Sequence, residues 1–208
     1  MKALLFINGI PPKKLPKTEN YSVISCTDGA FHYLKKMNFP LEKLDIISGD
    51  FDSHCEEEIL QQTQNNEIEV IFTPDQNNTD FHKALEILVK KNITDVDVFG
   101  GSGGEMDHFL GNLSVAFSFK NHLKITFYDD DSQYFFADKN LLLNQVKGKM
   151  ISLYPFPLAE KITTKGLQWE LNNEDLNILK RIGTRNRALE NEVEINFESG
   201  NLIIFIHY

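Results

Sequence analysis

The chain has 208 residues, 41% of them hydrophobic, enough to bury one sizeable core or two small ones rather than a string of modules. Its 21 Lys and Arg residues stand against 30 Asp and Glu, a net charge of −9. That balance argues against a polyanion-binding face and so against nucleic acid as a partner. If the substrate is anionic, such a protein has to bring cations into its site, and a divalent metal is the usual means.

The opening MKALLFINGIPPKK carries a lysine and a short apolar run. The run stops at Pro11 and Pro12 without a small-residue cleavage site, and no apolar stretch reaches membrane-spanning length, so neither a leader nor a membrane partner is expected. The first strand is placed from residue 3. The two cysteines, Cys26 and Cys55, are too few for a disulfide scaffold and are spaced unlike a zinc site. A reducing compartment follows, and the cytoplasm is the expected location.

Through the first 130 residues, short apolar runs rich in β-branched residues alternate with helix-period segments. This is the pattern of a parallel, Rossmann-like sheet flanked by helices. The expected strands are ALLFIN, YSVISC, LDIIS, EVIFT, DVDVFG and KITFY. The clearest helix is NNTDFHKALEILVKKN, where Phe81, Ala84, Leu85 and Leu88 share a face and Asn78 or Thr79 is the N-cap. After Asp129, Asp130 and Asp131 the runs shorten to SQYFFAD, KMISLYPF, TTKGLQWEL, EVEINFES and NLIIFIHY, separated by turn residues. These read as an antiparallel β domain, giving expected domains of 1–131 and 132–208.

Four expected strands run straight into Asp-containing loops: TDGA after Cys26, GDFDS after Ser48, PDQNNTD after Thr73 and GGSGGEMDH after Phe99. In a parallel sheet all strand C-termini lie on one edge, where open α/β folds bind ligands. Asp28, Asp50, Asp52, Asp75, Asp80 and Asp107 are therefore expected to converge on one crevice. Clustered carboxylates repel one another unless metal or protons neutralise them. Mg²⁺ suits such a site, because it takes a few carboxylates and keeps water and phosphate oxygens as its other ligands. Gly100, Gly101, Gly103 and Gly104 fit a metal–nucleotide site as well, letting backbone N–H groups approach phosphate before a helix N-terminus. No GxxxxGK[ST] is present, so an ordinary P-loop is excluded. An Asp after a strand is commonly only a turn former or a cap; four such loops in succession are harder to dismiss. His108 alone reads as a hydrogen-bonded structural histidine, and its place after Asp107 adds only modestly to a functional reading.

Taken together, TDGA, GDFDS, DQNNTDFHKAL, GGSGGEMDHFLGN, TTKGLQWEL and GTRN resemble the ordered signature of the thiamine diphosphokinases (thiamine pyrophosphokinases), over nearly the whole chain. The resemblance implies an N-terminal α/β catalytic domain holding Mg-ATP, a C-terminal β-sandwich that helps bind thiamine, and a homodimer whose site is shared between subunits. The implied reaction carries the diphosphoryl group of ATP to the thiamine hydroxyl and releases AMP. Asp50, Asp52, Asp80 and Asp107 become the catalytic carboxylates, with Asp50, Asp52, Asp75 and Asp80 toward Mg²⁺. Asp28, Ser53, Asp75, Gln76, Thr79, Gly101, Gly103, His108 and Asn112 are placed toward ATP. Either Asp107 or Asp80 would accept the hydroxyl proton.

Thr184 and Asn186 of GTRN match an element associated with the thiamine pocket, and Trp169 matches an aromatic position. For this single tryptophan, core packing weighs more than a face for the thiazolium cation. Three departures stand out: TDGA for the more usual ADGG, Arg185 for a serine, and Glu105 for an arginine. A glutamate cannot pair with phosphate as an arginine does, which leaves Lys83 or Arg187 to compensate. Two other readings stay open: a haloacid-dehalogenase-like phosphatase with Asp50 as nucleophile, and a related diphosphokinase acting on a pterin alcohol. A non-catalytic binder of nucleotide or thiamine is the third rival.

Overall fold

The structure, a computed structural model, describes residues 1–51 and 67–208. The chain divides into two compact units, Met1–Asp130 and Asp131–Tyr208.

In the first unit, each apolar run expected as a strand is one. β1 (Lys2–Phe6), β2 (Val23–Thr27), β3 (Ile46–Gly49), β4 (Glu69–Phe72), β5 (Asp95–Phe99) and β6 (Lys124–Tyr128) pair in parallel in the order β4-β3-β2-β1-β5-β6. The central strands are buried on both faces, which is why they read as continuous apolar runs. Leu4, Phe6, Cys26, Phe31, Leu34 and Ile47 make the heart of one core cluster.

Helices α1 (Asp28–Lys36), α2 (Asp80–Lys90) and α3 (Met106–Phe119) follow β2, β4 and β5. The N-cap of α2 is Thr79, whose hydroxyl accepts the His82 N–H at 3.2 Å. Phe81, Ala84, Leu85 and Leu88 form its buried face. The sheet grows outward from β1 to β4, then resumes on the other side of β1 with β5. The point where strand order reverses lies between β1 and β5, and such a point leaves a crevice beyond the strand C-termini.

The second unit is antiparallel: β7 (Ser132–Phe136), β8 (Asn140–Asn144), β9 (Met150–Lys165), β10 (Asn172–Asn177), β11 (Gly183–Arg187), β12 (Glu192–Asn196) and β13 (Ser199–His207). Its spine is the 16-residue β9, which pairs with β13, β12, β10 and β11 along its length. Ile151, Leu153, Ile162, Val193, Leu202 and Ile204 sit at the centre of its own core.

Two expectations change here. KMISLYPF and the start of TTKGLQWEL are one strand, β9, and the chain leaves it after Lys165, so GLQWEL is a loop. GTRN lies within β11, which the apolar pattern did not mark as a strand.

Candidate active site

A cavity of about 740 Å³ opens at the carboxyl edge of the parallel sheet, and the loops after β1, β2, β3, β4 and β5 all contribute to it. Its lining includes Asp28, Asp50, Asp80 and Asp107, together with Gln76, Thr79, Gly103, His108 and Asn112. Asp75 and Gly101 are not among the lining residues. Asp52 and Ser53 lie outside the described residues.

Asp28 opens α1 and is only 6% exposed. One carboxylate oxygen accepts the Gly29 N–H at 2.6 Å and the other the Phe51 N–H at 3.0 Å. The residue before Phe51 is Asp50, and Phe51 itself has a left-handed backbone, φ +53°. A non-glycine residue reaches that region at a steric cost, so the bond from Phe51 to Asp28 and the burial of its ring help to hold the turn that presents Asp50. Gly49 completes the fit: a Cβ there would fall 2.3 Å from the Asp28 carboxylate.

Burial pushes the Asp28 carboxyl above the ordinary carboxylate range. The Phe51 and Gly29 N–H groups pull it back, and the charges of Asp80 and Asp50 push it up further. The three carboxylates therefore feel one another. Gln76 ties the loops after β3 and β4 together, donating from Nε2 to Asp50 at 2.8 Å.

Asp75 shapes its own loop. Its carboxylate accepts the Asn77 N–H at 3.0 Å and side-chain amides of Asn77 at 2.7 Å and Asn78 at 3.2 Å, and these bonds hold it below the usual carboxylate range. Lys83, 7% exposed, donates to the carbonyls of Thr73 at 2.8 Å and Asp75 at 3.1 Å, and pairs with Asp80 at 2.8 Å. Its ammonium is thus already shared among three oxygens, of which the Asp80 carboxylate belongs to a cavity-lining residue.

The loops after β1 and β5 meet backbone to backbone. A Cβ on Gly100 would lie 2.1 Å from the Ile7 carbonyl, and one on Gly9 would lie 2.2 Å from the Gly100 carbonyl. Gly100 thus serves loop packing rather than ligand approach. Asn112 secures the same loop by donating to the Gly101 carbonyl at 3.0 Å.

Glu105 is the N-cap position of α3, but its side chain makes no cap bond; it reaches His108 Nε2 at 3.5 Å instead. Asp107 accepts the His108 backbone N–H at 2.9 Å. Glu105, Asp107 and His108 form an exposed group on the cavity rim.

The chemistry of this donor set fits a hard divalent cation. Asp28, Asp50, Asp80 and Asp107 supply oxygen donors around one space, and Lys83, already shared, leaves their charge in excess. Sequence reasoning missed the β1 loop, from which Asn8, Gly9 and Ile10 line the cavity. The signal was available, since this loop also follows a parallel strand, but its INGIPPKK carries no aspartate to mark it. It also missed the Thr27 hydroxyl, a cavity-lining group that is buried and has no hydrogen-bond partner among the described residues.

In the second unit Thr184 is exposed on β11, and Asn186 is half-buried beside it. Trp169 is 58% exposed and belongs to neither core cluster, which corrects the core-packing reading of this side chain. Asn186 grips it through the backbone. Its Nδ2 donates to the Trp169 carbonyl at 2.7 Å, and its Oδ1 accepts the Trp169 N–H at 3.1 Å and the Arg187 N–H at 2.9 Å.

Residues 16–127 match the sequence pattern described as "Thiamin pyrophosphokinase, catalytic domain", and residues 139–202 match "Thiamin pyrophosphokinase, vitamin B1 binding domain". The chain belongs to the thiamin pyrophosphokinase family. Thiamin pyrophosphokinase 1 of Caenorhabditis elegans is 30% identical over 97% of this chain and 86% of its own. Thiamine pyrophosphokinase of Bacillus subtilis is 25% identical over 98% of both.

Solved structures share the fold. The crystal structure of the Bacillus subtilis thiamine pyrophosphokinase superposes with a TM-score of 0.82 over 99% of this chain and 98% of its own, at 21% identity. Thiamin pyrophosphokinase from Candida albicans gives 0.84 over 99% and 88%, at 16% identity. These matches support neither the phosphatase nor the pterin reading. The acidic loops lie within the segment that matches the family's catalytic domain, and Trp169, Thr184 and Asn186 lie within the vitamin B1 binding match. Among the described residues no helix is long and apolar enough to cross a membrane.

Proposed function

We propose that this chain transfers the diphosphoryl group of ATP to the primary hydroxyl of thiamine, giving thiamine diphosphate and AMP, with Mg²⁺ as its metal. The observation that carries the reading is the convergence of Asp28, Asp50, Asp80 and Asp107 on one cavity, in a chain whose two halves match two domains of a single enzyme family. In this reading residues 1–131 form a Rossmann-like Mg-ATP domain and residues 132–208 a β-sandwich that binds thiamine.

Asp50, Asp52 and Asp80 would hold Mg²⁺, which when bound neutralises charge on the transferring phosphates. The rest of the work is positioning. Asp28 holds the turn that presents Asp50, through the Phe51 N–H. Asp75 orders Asn77 and Asn78, which line the cavity together with Gln76 and Thr79. A metal-bound carboxylate is a poor base, so Asp107 is assigned the proton of the attacking hydroxyl. Gly103, Gly104 and the α3 N-terminus face ATP phosphates with backbone N–H groups, and Trp169, Thr184 and Asn186 serve thiamine.

A cytoplasmic homodimer, with a site shared between subunits, completes the proposal. Support comes from α3, the most apolar helix among the described residues, which nonetheless leaves Met106 and Leu110 each 60% exposed.

Incubation with Mg-ATP and thiamine should release AMP and thiamine diphosphate in equal amounts, and excess chelator should stop both. Release of inorganic phosphate, or transfer to a hydroxymethyl-pterin in preference to thiamine, would overturn the assignment.

A further inference from the structure

Asn186 and Trp169 are 17 positions apart, yet they are joined by two hydrogen bonds that use both ends of one side-chain amide. The local chain path explains this. Leu167 and Ala188 form an antiparallel bridge, and the Gln168 N–H donates to the Arg187 carbonyl at 2.8 Å. The next backbone pairing partner for Trp169 would come from residue 186 or 185. There the chain turns away: Arg185 has φ +57° and gives its N–H to the Ser152 hydroxyl at 2.9 Å. The Asn186 side chain, itself an amide, offers Trp169 the donor and acceptor that a continuing strand would have offered.

We infer that Asn186 is a positioning residue, acting on thiamine through Trp169 rather than by touching it. Its Oδ1 already accepts two N–H groups, and one of its two amide hydrogens goes to the Trp169 carbonyl, so little of the side chain is left for a ligand. The Trp169 ring is the exposed group. A fixed, electron-rich indole face suits an aromatic cation, and fixing it in advance lowers the ordering cost of binding. The inference rests on thiamine being the substrate, but the indole itself reports on the clamp whether or not that holds.

Trp169 is the chain's single tryptophan, so its fluorescence can be read without labels. In ligand-free Asn186→Ala protein, with folding verified by circular dichroism, the anisotropy of Trp169 should fall and its quenching by acrylamide should rise. Thiamine affinity should drop about tenfold in that variant.

In a Trp169→Ala background, the same Asn186→Ala change should alter thiamine affinity less than about twofold, because the residue through which it acts is gone. Unchanged fluorescence in Asn186→Ala would overturn the inference, as would a full tenfold loss persisting without Trp169. If Asn186→Ala does not fold, Asn186→Asp, which keeps an acceptor but cannot donate to the Trp169 carbonyl, must give the same loosening. Loosened fluorescence in a protein that does not bind thiamine would sustain the clamp while removing the substrate assignment.

Discussion

Asp28 is the most constrained carboxylate of the cavity, buried, bonded to two backbone N–H groups and fitted against Gly49. Because its folded-state pKa is raised, chiefly by burial, the folded protein holds this proton more tightly than the unfolded chain. The charging penalty is then absent below the unfolded carboxylate pKa, about 3.9, and grows as pH rises through the higher folded value. The amide of an Asp28→Asn variant does not titrate and escapes this penalty. In metal-free melts, the Tm difference between Asp28→Asn and the native chain should therefore move in the variant's favour from about pH 4 to pH 7. A difference that stays constant with pH would mean that Asp28 carries no burial penalty. Asp50 differs in being held by Gln76 at the cavity wall. Asp50→Asn should keep the fold and lower turnover by roughly three orders of magnitude, if it supports several kcal/mol of metal-borne stabilisation. Full activity in that variant would remove the metal assignment.

Among the elements, α2 and the loop before it are coupled by Lys83, which reaches from the helix to two loop carbonyls and to Asp80. Lys83→Met keeps the length of the stem but leaves these oxygens without their donor. Unfolding in urea should show a loss of about 1–3 kcal/mol; an unchanged midpoint would reduce Lys83 to a bystander. This role was not legible in the sequence, where Lys83 was one of two candidates to replace a missing arginine. The parallel strands were legible because burial on both faces leaves continuous apolar runs, as in the ALLF of β1. The second unit was less so. β10, NNEDLN, has one fully buried residue, and β11, GTRNR, has none, so neither carries an apolar alternation. Their pairing comes from the long β9 beside them, a tertiary effect that local pattern does not record. The same holds for the candidate site: strand-then-Asp loops could be read, but the backbone contact of Gly9 with Gly100 and the grip of Asn186 on Trp169 join residues far apart in sequence.

At the scale of the whole molecule, the proposed division of labour assigns nucleotide and metal to one unit and thiamine to the other, with the site completed by a second copy of the chain. If each site of a symmetric dimer combines the acidic loops of one subunit with Trp169 of the other, two defective chains can complement each other. An Asp50→Asn chain lacks turnover but keeps its aromatic face. A Trp169→Ala chain keeps its carboxylates but binds thiamine weakly. In their heterodimer one of the two sites carries both defects and the other carries neither. Random reassociation makes half of the dimers mixed, so at thiamine concentrations too low for the Trp169→Ala homodimer, activity should recover to about a quarter of the native level. Heterodimers should be verified by differential tagging and purified before assay, where the expected recovery is about half. If verified heterodimers show no recovery, the shared site is rejected, while the exposed Met106 and Leu110 on α3 still fit a contact between two copies that build their sites separately.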